Sequence, residues 1–165
     1  MIFKFLSKNF YISFSIVSLI YFLDRLSKIY VIQLDKNNLG SDIFNSAYLN
    51  IVLIWNKGIA FGLLSFNESH LYNILSLIIS IIVVILVIMS LKSHGFKRYS
   101  LLMIVGGALG NLHDRIFFNA VPDFIDFHVG NFHWFIFNVS DIFITLGVIG
   151  MIVLELVENK TEKTK

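Results

Sequence analysis

Cysteine is absent from this chain, proline occurs once, at Pro122, and charged side chains make up only 15% of its 165 residues. Without cysteine there is no disulfide framework, no thiolate nucleophile and no thiolate metal site, so any nucleophile must be of another kind. With no Pro/Ser-rich linker and no low-complexity run to mark a boundary, residues 1–165 read as a single domain. The scarcity of charge, together with 56% hydrophobic residues and a mean hydropathy of +0.77, excludes an ordinary soluble domain and makes lipid the natural solvent. The net charge of +2 is small and its basic residues fall in short groups rather than a stripe, which argues against a nucleic-acid partner and for contact with membrane lipids.

What is there is apolar length. Four segments suit helices that cross a hydrocarbon core: residues 10–32, 71–91, 99–118 and 135–156. The second is the purest, since Leu71 to Leu91 holds no charged side chain. A lone strand there would leave its amide groups unpaired in hydrocarbon, so helix is the only sound reading. The first span follows Lys4 and Lys8 as a secretory signal would, but no small-residue cleavage site follows it, and it reads as a retained helix. The thirteen Lys and Arg residues set the orientation. Lys4, Lys8, Lys92, Lys97, Arg98, Lys160, Lys163 and Lys165 all flank one end of the spans, which predicts that both termini are cytoplasmic. The connections 33–69 and 119–134 then face outward. The first contains Tyr48-Leu-Asn-Ile-Val-Leu-Ile-Trp55, whose alternation suggests a small β element on the membrane surface. The fold class expected is therefore an all-α membrane protein of four transmembrane helices, with a small extracytoplasmic β-containing segment between helices one and two.

Placed by depth, the charges gather at one level. Asp24, Arg25 and Lys28 lie in the outer third of the first span, Asp114 and Arg115 near the outer end of the third, and Asp141 early in the fourth, with Asp123 in the adjoining loop. Each ionisable group in a span costs about 2.5 to 3.5 kcal/mol on insertion scales, so several at one depth imply mutual pairing or a polar functional pocket. Asp24 and Lys28 have the spacing of an intrahelical ion pair, and Asp114 with Arg115 fits an interfacial anchor. Asp141 is harder to assign to structure, because no cation neighbours it in sequence. Asp123 and Asp126 are both loop acids that sequence alone barely separates. Gly106 and Gly110 have the small-xxx-small spacing of close helix packing and lack the pattern of a phosphate loop. His113, His128 and His133 near Asp126 raise a metal site, but no HExxH-type spacing is present and interfacial histidines are the expectation, as are Trp55 and Trp134 in an aromatic belt. An ion or proton conductor, a non-catalytic membrane subunit and a metalloprotease are the rival readings. A conductor should place polar groups through the depth of several helices, whereas beyond its start helix two offers only Ser76, Ser80 and Ser90.

Five stretches in order carry a resemblance: Asp24-Arg-Leu-Ser-Lys28, Asn56-Lys-Gly-Ile-Ala-Phe-Gly62, Gly106-Gly-Ala-Leu-Gly-Asn-Leu-His-Asp-Arg115, Val121-Pro-Asp-Phe124 and Phe137-Asn-Val-Ser-Asp141. Together they resemble the motif set of the lipoprotein signal peptidases (signal peptidase II), with one departure: Ser140 stands where that family has alanine. The resemblance implies an aspartic-type endopeptidase of the bacterial plasma membrane. It would remove signal peptides from diacylglyceryl-modified prolipoproteins just before the lipid-modified cysteine, with its active site near the extracytoplasmic face and with neither metal nor cofactor. It also implies Asp123 and Asp141 as the catalytic pair, in preference to Asp126, with Asp24, Lys28, Asn56, Gly58, Asn111, Asp114, Arg115 and Asn138 binding substrate or supporting the site. Side-chain amides of Asn56, Asn111 or Asn138 would orient the site or stabilise developing charge, and the stretch Asn56 to Gly62 would clamp an extended substrate. A monomer is expected.

Overall fold

The computed structural model describes residues 8–38, 43–58 and 69–163. Its elements run α1 (Lys8–Asn37), β1 (Phe44–Asn45), β2 (Leu49–Asn56), α2 (Ser69–Lys92), α3 (Gly95–Phe118), β3 (Val121–Val129), β4 (Phe132–Phe137) and α4 (Val139–Lys163). Among the described residues four helices are long and apolar enough to cross a membrane. At 1.5 Å per residue, the 24 residues of α2 extend about 36 Å, enough to span a hydrocarbon core.

Burial runs opposite to that of a water-soluble protein. Phe14, Leu19, Phe22 and Leu26 of α1 and Leu77, Ile81 and Ile85 of α2 are exposed, while Asp24, Lys28, Asp114, Asn138 and Ser140 are fully buried. Such an arrangement is stable only where the outer medium is itself apolar and the inner polar groups satisfy one another. Helix α3 touches all three other helices, and its glycines make this possible. A Cβ at Gly107 would collide with the Ser140 carbonyl and Ile144, and one at Gly110 with the Ser140 hydroxyl and the Asp24 carboxylate. The packing role read from the glycine spacing therefore holds, and Gly107 takes part in it as well. A small residue is needed opposite, which Ser140 satisfies.

The β structure is larger than the sequence suggested. The four strands form one antiparallel sheet in the order β1-β2-β3-β4, with Asn50 opposite Asp126 and Asn56 opposite Val121. Strands β1 and β2 come from the connection between α1 and α2, as expected. Strands β3 and β4 come from residues read as an outer loop and as the start of the last helix. Phe135 to Phe137 are apolar and continuous with the helical run, so hydropathy alone assigned them to it; in the structure they pair across the hairpin, Ile125 with Phe137, and the helix begins only at Val139. Helix boundaries also shift outward elsewhere: α1 continues to Asn37 and α3 begins at Gly95. At its far end α3 is closed by Asn119 in the left-handed region, φ 53°, which turns the chain directly into β3.

Candidate active site

Two carboxylates are brought together where the sheet meets the helices, each held by asparagine amides. Asp123 projects from β3 and is 3% exposed. Its Oδ1 accepts from the Nδ2 of Asn138, and its Oδ2 accepts from the Nδ2 of Asn56 at 2.9 Å. Asp141 stands at the third position of α4, with Asn138 as the residue before the helix. The Asp141 amide donates to Asn138 Oδ1 at 3.2 Å, while the Asn138 amide donates back to Asp141 Oδ2 at 3.2 Å. This is the reciprocal arrangement of a capping box, so the orientation of Asp141 follows from how the helix starts. Asn138 thereby contacts both acids. The remaining oxygen of Asp141, Oδ1, accepts from Asn111 Nδ2 at 2.8 Å.

Behind the carboxylates lies a charge-balanced cluster. Lys28 Nζ lies 2.9 Å from Asp24 and 2.7 Å from Asp114, and Arg25 lies 2.9 Å from Asp24 and 2.6 Å from Asp114. Lys28 also donates to Asn111 Oδ1 at 2.9 Å, which turns the amide of Asn111 so that its NH2 faces Asp141. Asp24 Oδ1 accepts the Ser140 amide at 2.9 Å and so ties the first turn of α4 to α1. Two acids and two bases compensate one another, which is what makes their burial tolerable. The i,i+4 pair of Asp24 and Lys28 is present, but Asp114 and Arg115 are buried and are not interfacial anchors. Arg115 donates to the Gly58 carbonyl and sits over the ring of Tyr72, 5.6 Å from its centroid, while the Gly58 amide donates to Asn56 Oδ1 at 2.8 Å. Arg115 thus fixes the turn that aims Asn56 at Asp123. Residues 59–62 of the expected clamp lie outside the described residues.

The cations of the cluster are engaged by its own acids, and among the described residues none is ion-paired to Asp123 or Asp141, although Lys28 exerts a weak pull on Asp123 from behind. Burial, and secondarily the charge of Asp141, push the Asp123 carboxyl up to about 6, against the opposing pull of the amide donors from Asn56 and Asn138. Both acids line a cavity of about 470 Å3, with Asn56, Asn111, Asn138 and Arg115 beside them and Ile79, Ile144, Val148 and Ile149 forming an apolar stretch of its wall. A second cavity, of about 460 Å3 and walled by Trp134, Phe135, Phe137, Ile142 and Leu146, also reaches Asp141. Such a site can hold an extended backbone at the acids and apolar groups beside it.

All ten residues proposed from sequence fall in this one region. The structure adds Arg25, which bridges Asp24 and Asp114, and Ser140, whose amide anchors α4. Arg25 could have been found from its place between Asp24 and Lys28; the Ser140 contact is a backbone one and left no sequence signal. Asp126, three residues along β3 from Asp123, bonds instead to Asn50 and His133. Of the three histidines weighed together, His113 lies elsewhere, against Tyr21 at 2.9 Å.

A family model described as Signal peptidase (SPase) II matches residues 16–157. A lipoprotein signal peptidase of Pelagibacter ubique is 47% identical over 152 residues, covering 92% of each chain. One from Anaplasma phagocytophilum is 44% identical over 137 residues, covering 81% of this chain and 85% of its own. A solved structure described as a bacterial membrane enzyme, obtained by the in meso method at 2.3 Å resolution, superposes with a TM-score of 0.74 at 29% identity, covering 93% of this chain and 92% of its own.

Proposed function

Because the chain belongs to the signal peptidase II family of aspartic-type peptidases, which act on prolipoproteins in the membrane, we propose that Asp123 and Asp141 are its catalytic acids and that the surrounding asparagines orient them. The observation that carries this is Asn138, which hydrogen-bonds to both carboxylates at the polar end of an apolar cavity. Two buried carboxyl groups with no ion-paired cation among the described residues cannot both ionise cheaply, so the pair holds one proton and titrates as a unit. The ionised member takes a proton from water. The resulting hydroxide forms a C–O bond to the carbonyl carbon of the residue preceding the diacylglyceryl-modified cysteine, while the other member gives its proton to the carbonyl oxygen. Collapse of the tetrahedral intermediate breaks the C–N bond: the departing nitrogen takes up the proton removed from water, and the second acid recovers its own proton from a hydroxyl of the intermediate as the new carboxyl group forms.

The amide groups of Asn56, Asn111 and Asn138 each face a carboxylate, which favours an orienting role for them over a direct one on the oxyanion. Lys28 acts at one remove, through Asn111, and Arg115 through Gly58 and Asn56. The two cavities that meet at Asp141 leave room for the apolar parts of the substrate on either side of the scissile bond. The basic residues flanking the opposite ends of the helices favour cytoplasmic termini, with the acids and sheet toward the extracytoplasmic face. The chain is taken to work as a single domain and a monomer, without a catalytic metal.

The test is cleavage of a diacylglyceryl-modified prolipoprotein by purified protein in detergent with a chelator present, comparing the wild type with Asp123→Asn, Asp141→Asn and Asp126→Asn. Cleavage by the wild type and Asp126→Asn alone is the expected result. Turnover by either dyad variant, or no cleavage by the wild type with or without the chelator, would overturn the assignment.

A further inference from the structure

The β3–β4 hairpin carries a second cluster of ligating side chains, on residues that the cleavage reaction does not use. Asp126, His128 and His133 each offer one ligand atom, and the three atoms lie within 4.8 Å of one another. Local geometry explains why they meet. Val129 pairs with Phe132 across a two-residue turn whose Gly130 has φ +58°, so the register is pinned and His128 stands directly opposite His133. Asp126 lies two residues before His128 on the same strand and therefore shares its face of the sheet, whereas Asp123, three residues back, does not.

Three observations suggest a ligand set rather than a chance grouping. First, His133 Nδ1 already lies 2.9 Å and 3.1 Å from the two oxygens of Asp126, a carboxylate that is itself buried. Second, Asn50 donates to Asp126 Oδ2 at 3.3 Å, the kind of outer hydrogen bond that orients a metal-binding carboxylate. Third, the Nδ1 of His128 is buried with no hydrogen-bond partner, and its ring lies against that of His133 with centroids 4.9 Å apart. Two imidazoles held face to face with a carboxylate beside them, and one ring nitrogen left unsatisfied, make a poor resting arrangement for polar groups. Ligand atoms around tetrahedral zinc stand about 3.3 Å apart, so the three atoms, already within 4.8 Å of one another, need to draw together only slightly.

We propose that Asp126, His128 and His133 bind one divalent cation of the zinc class, with water completing the coordination. Two imidazoles and one carboxylate select Zn2+, Co2+, Ni2+ or Cu2+ over Mg2+ or Ca2+, which prefer oxygen-only sites. The ion clamps the hairpin that supplies Asp123 at one end and leads into Asn138 at the other. It takes no part in peptide-bond cleavage, and the proposal stands whether or not the protease assignment does.

The measurement is a Co2+ titration of metal-stripped protein purified in detergent through a histidine-free tag, followed by visible d–d absorption and by displacement with Zn2+. Wild type and Asp141→Asn should each bind one Co2+ per chain with the same affinity, and Zn2+ should bleach the band. His128→Ala and His133→Ala should each weaken binding at least about tenfold, as loss of a ligand requires. His133 is half-exposed, so its replacement opens no cavity, and an unchanged thermal transition in the metal-free state establishes that the variant is folded. The proposal fails if the wild type shows no saturable band, if both histidine variants bind as the wild type does, or if Asp141→Asn abolishes binding.

Discussion

Replacing the buried carboxyl of Asp123 with its neutral isostere should inactivate the protein and stabilise it at the same time. The carboxyl titrates at about 6 in the folded protein against an ordinary value of 3.8. Its folded state therefore binds the proton more tightly than the unfolded state does, and that contribution is fully present below about pH 3.8 and is lost as pH rises through about 6. At about pH 8 the difference amounts to a penalty of about 3 kcal/mol for keeping the ionised group buried. Asparagine removes this penalty but turns one NH2 toward an amide donor, either Asn56 or Asn138, and forfeits one hydrogen bond worth about 1 to 2 kcal/mol. The net expectation for Asp123→Asn is a gain of about 1 to 2 kcal/mol at about pH 8, seen as a thermal transition a few degrees higher in detergent. At about pH 4.5, where most of the wild-type penalty is relieved, the advantage should shrink by about 2 kcal/mol and vanish or reverse. A variant destabilised at high pH by the same amount as at low pH would refute the reading that burial pushes the Asp123 carboxyl up to about 6.

Three further perturbations, with one control, address how the acids are held. Asn138→Ala removes one hydrogen bond to a carboxylate, worth about 1.5 to 3 kcal/mol, and should lower kcat/KM by about 10- to 100-fold. Because the lost donor favoured the ionised form of Asp123, the alkaline limb of its pH–rate profile should also move to higher pH. Lys28→Met leaves Asp24 and Asp114 sharing only Arg25 and should destabilise the protein by about 3 to 5 kcal/mol, read as a lower thermal transition and poor yield. Gly110→Ala drives a methyl group into the Asp24 carboxylate and the Ser140 hydroxyl, which predicts a cost of about 1 to 3 kcal/mol and loss of activity together; Gly95→Ala, where a Cβ meets open space but φ is +55°, should cost stability while leaving cleavage intact.

The membrane helices, their number and the level at which charge accumulates could be read from the amino acids alone. Hydrocarbon enforces that much, because an apolar run of sufficient length has no other stable state there, and a buried charge in such a run demands a partner. The ordered motifs further imply Asp123 rather than Asp126 as the catalytic acid, a choice that composition and periodicity leave nearly even. Three-dimensional contact decided the rest. The end of β4, Phe135 to Phe137, reads as the start of the last helix because both carry apolar side chains, and only pairing with β3 separates them. Arg25 and Lys28 each serve two acids: the i,i+4 spacing encodes the pair of Lys28 with Asp24, but no local spacing encodes the contacts of both cations with Asp114 on another helix. Asp126, His128 and His133 showed no ligand spacing along the chain, since their proximity depends on hairpin register. Hydropathy is a property of segments and survives in the linear sequence, whereas the partners of a hydrogen bond or an ion are chosen by how those segments pack.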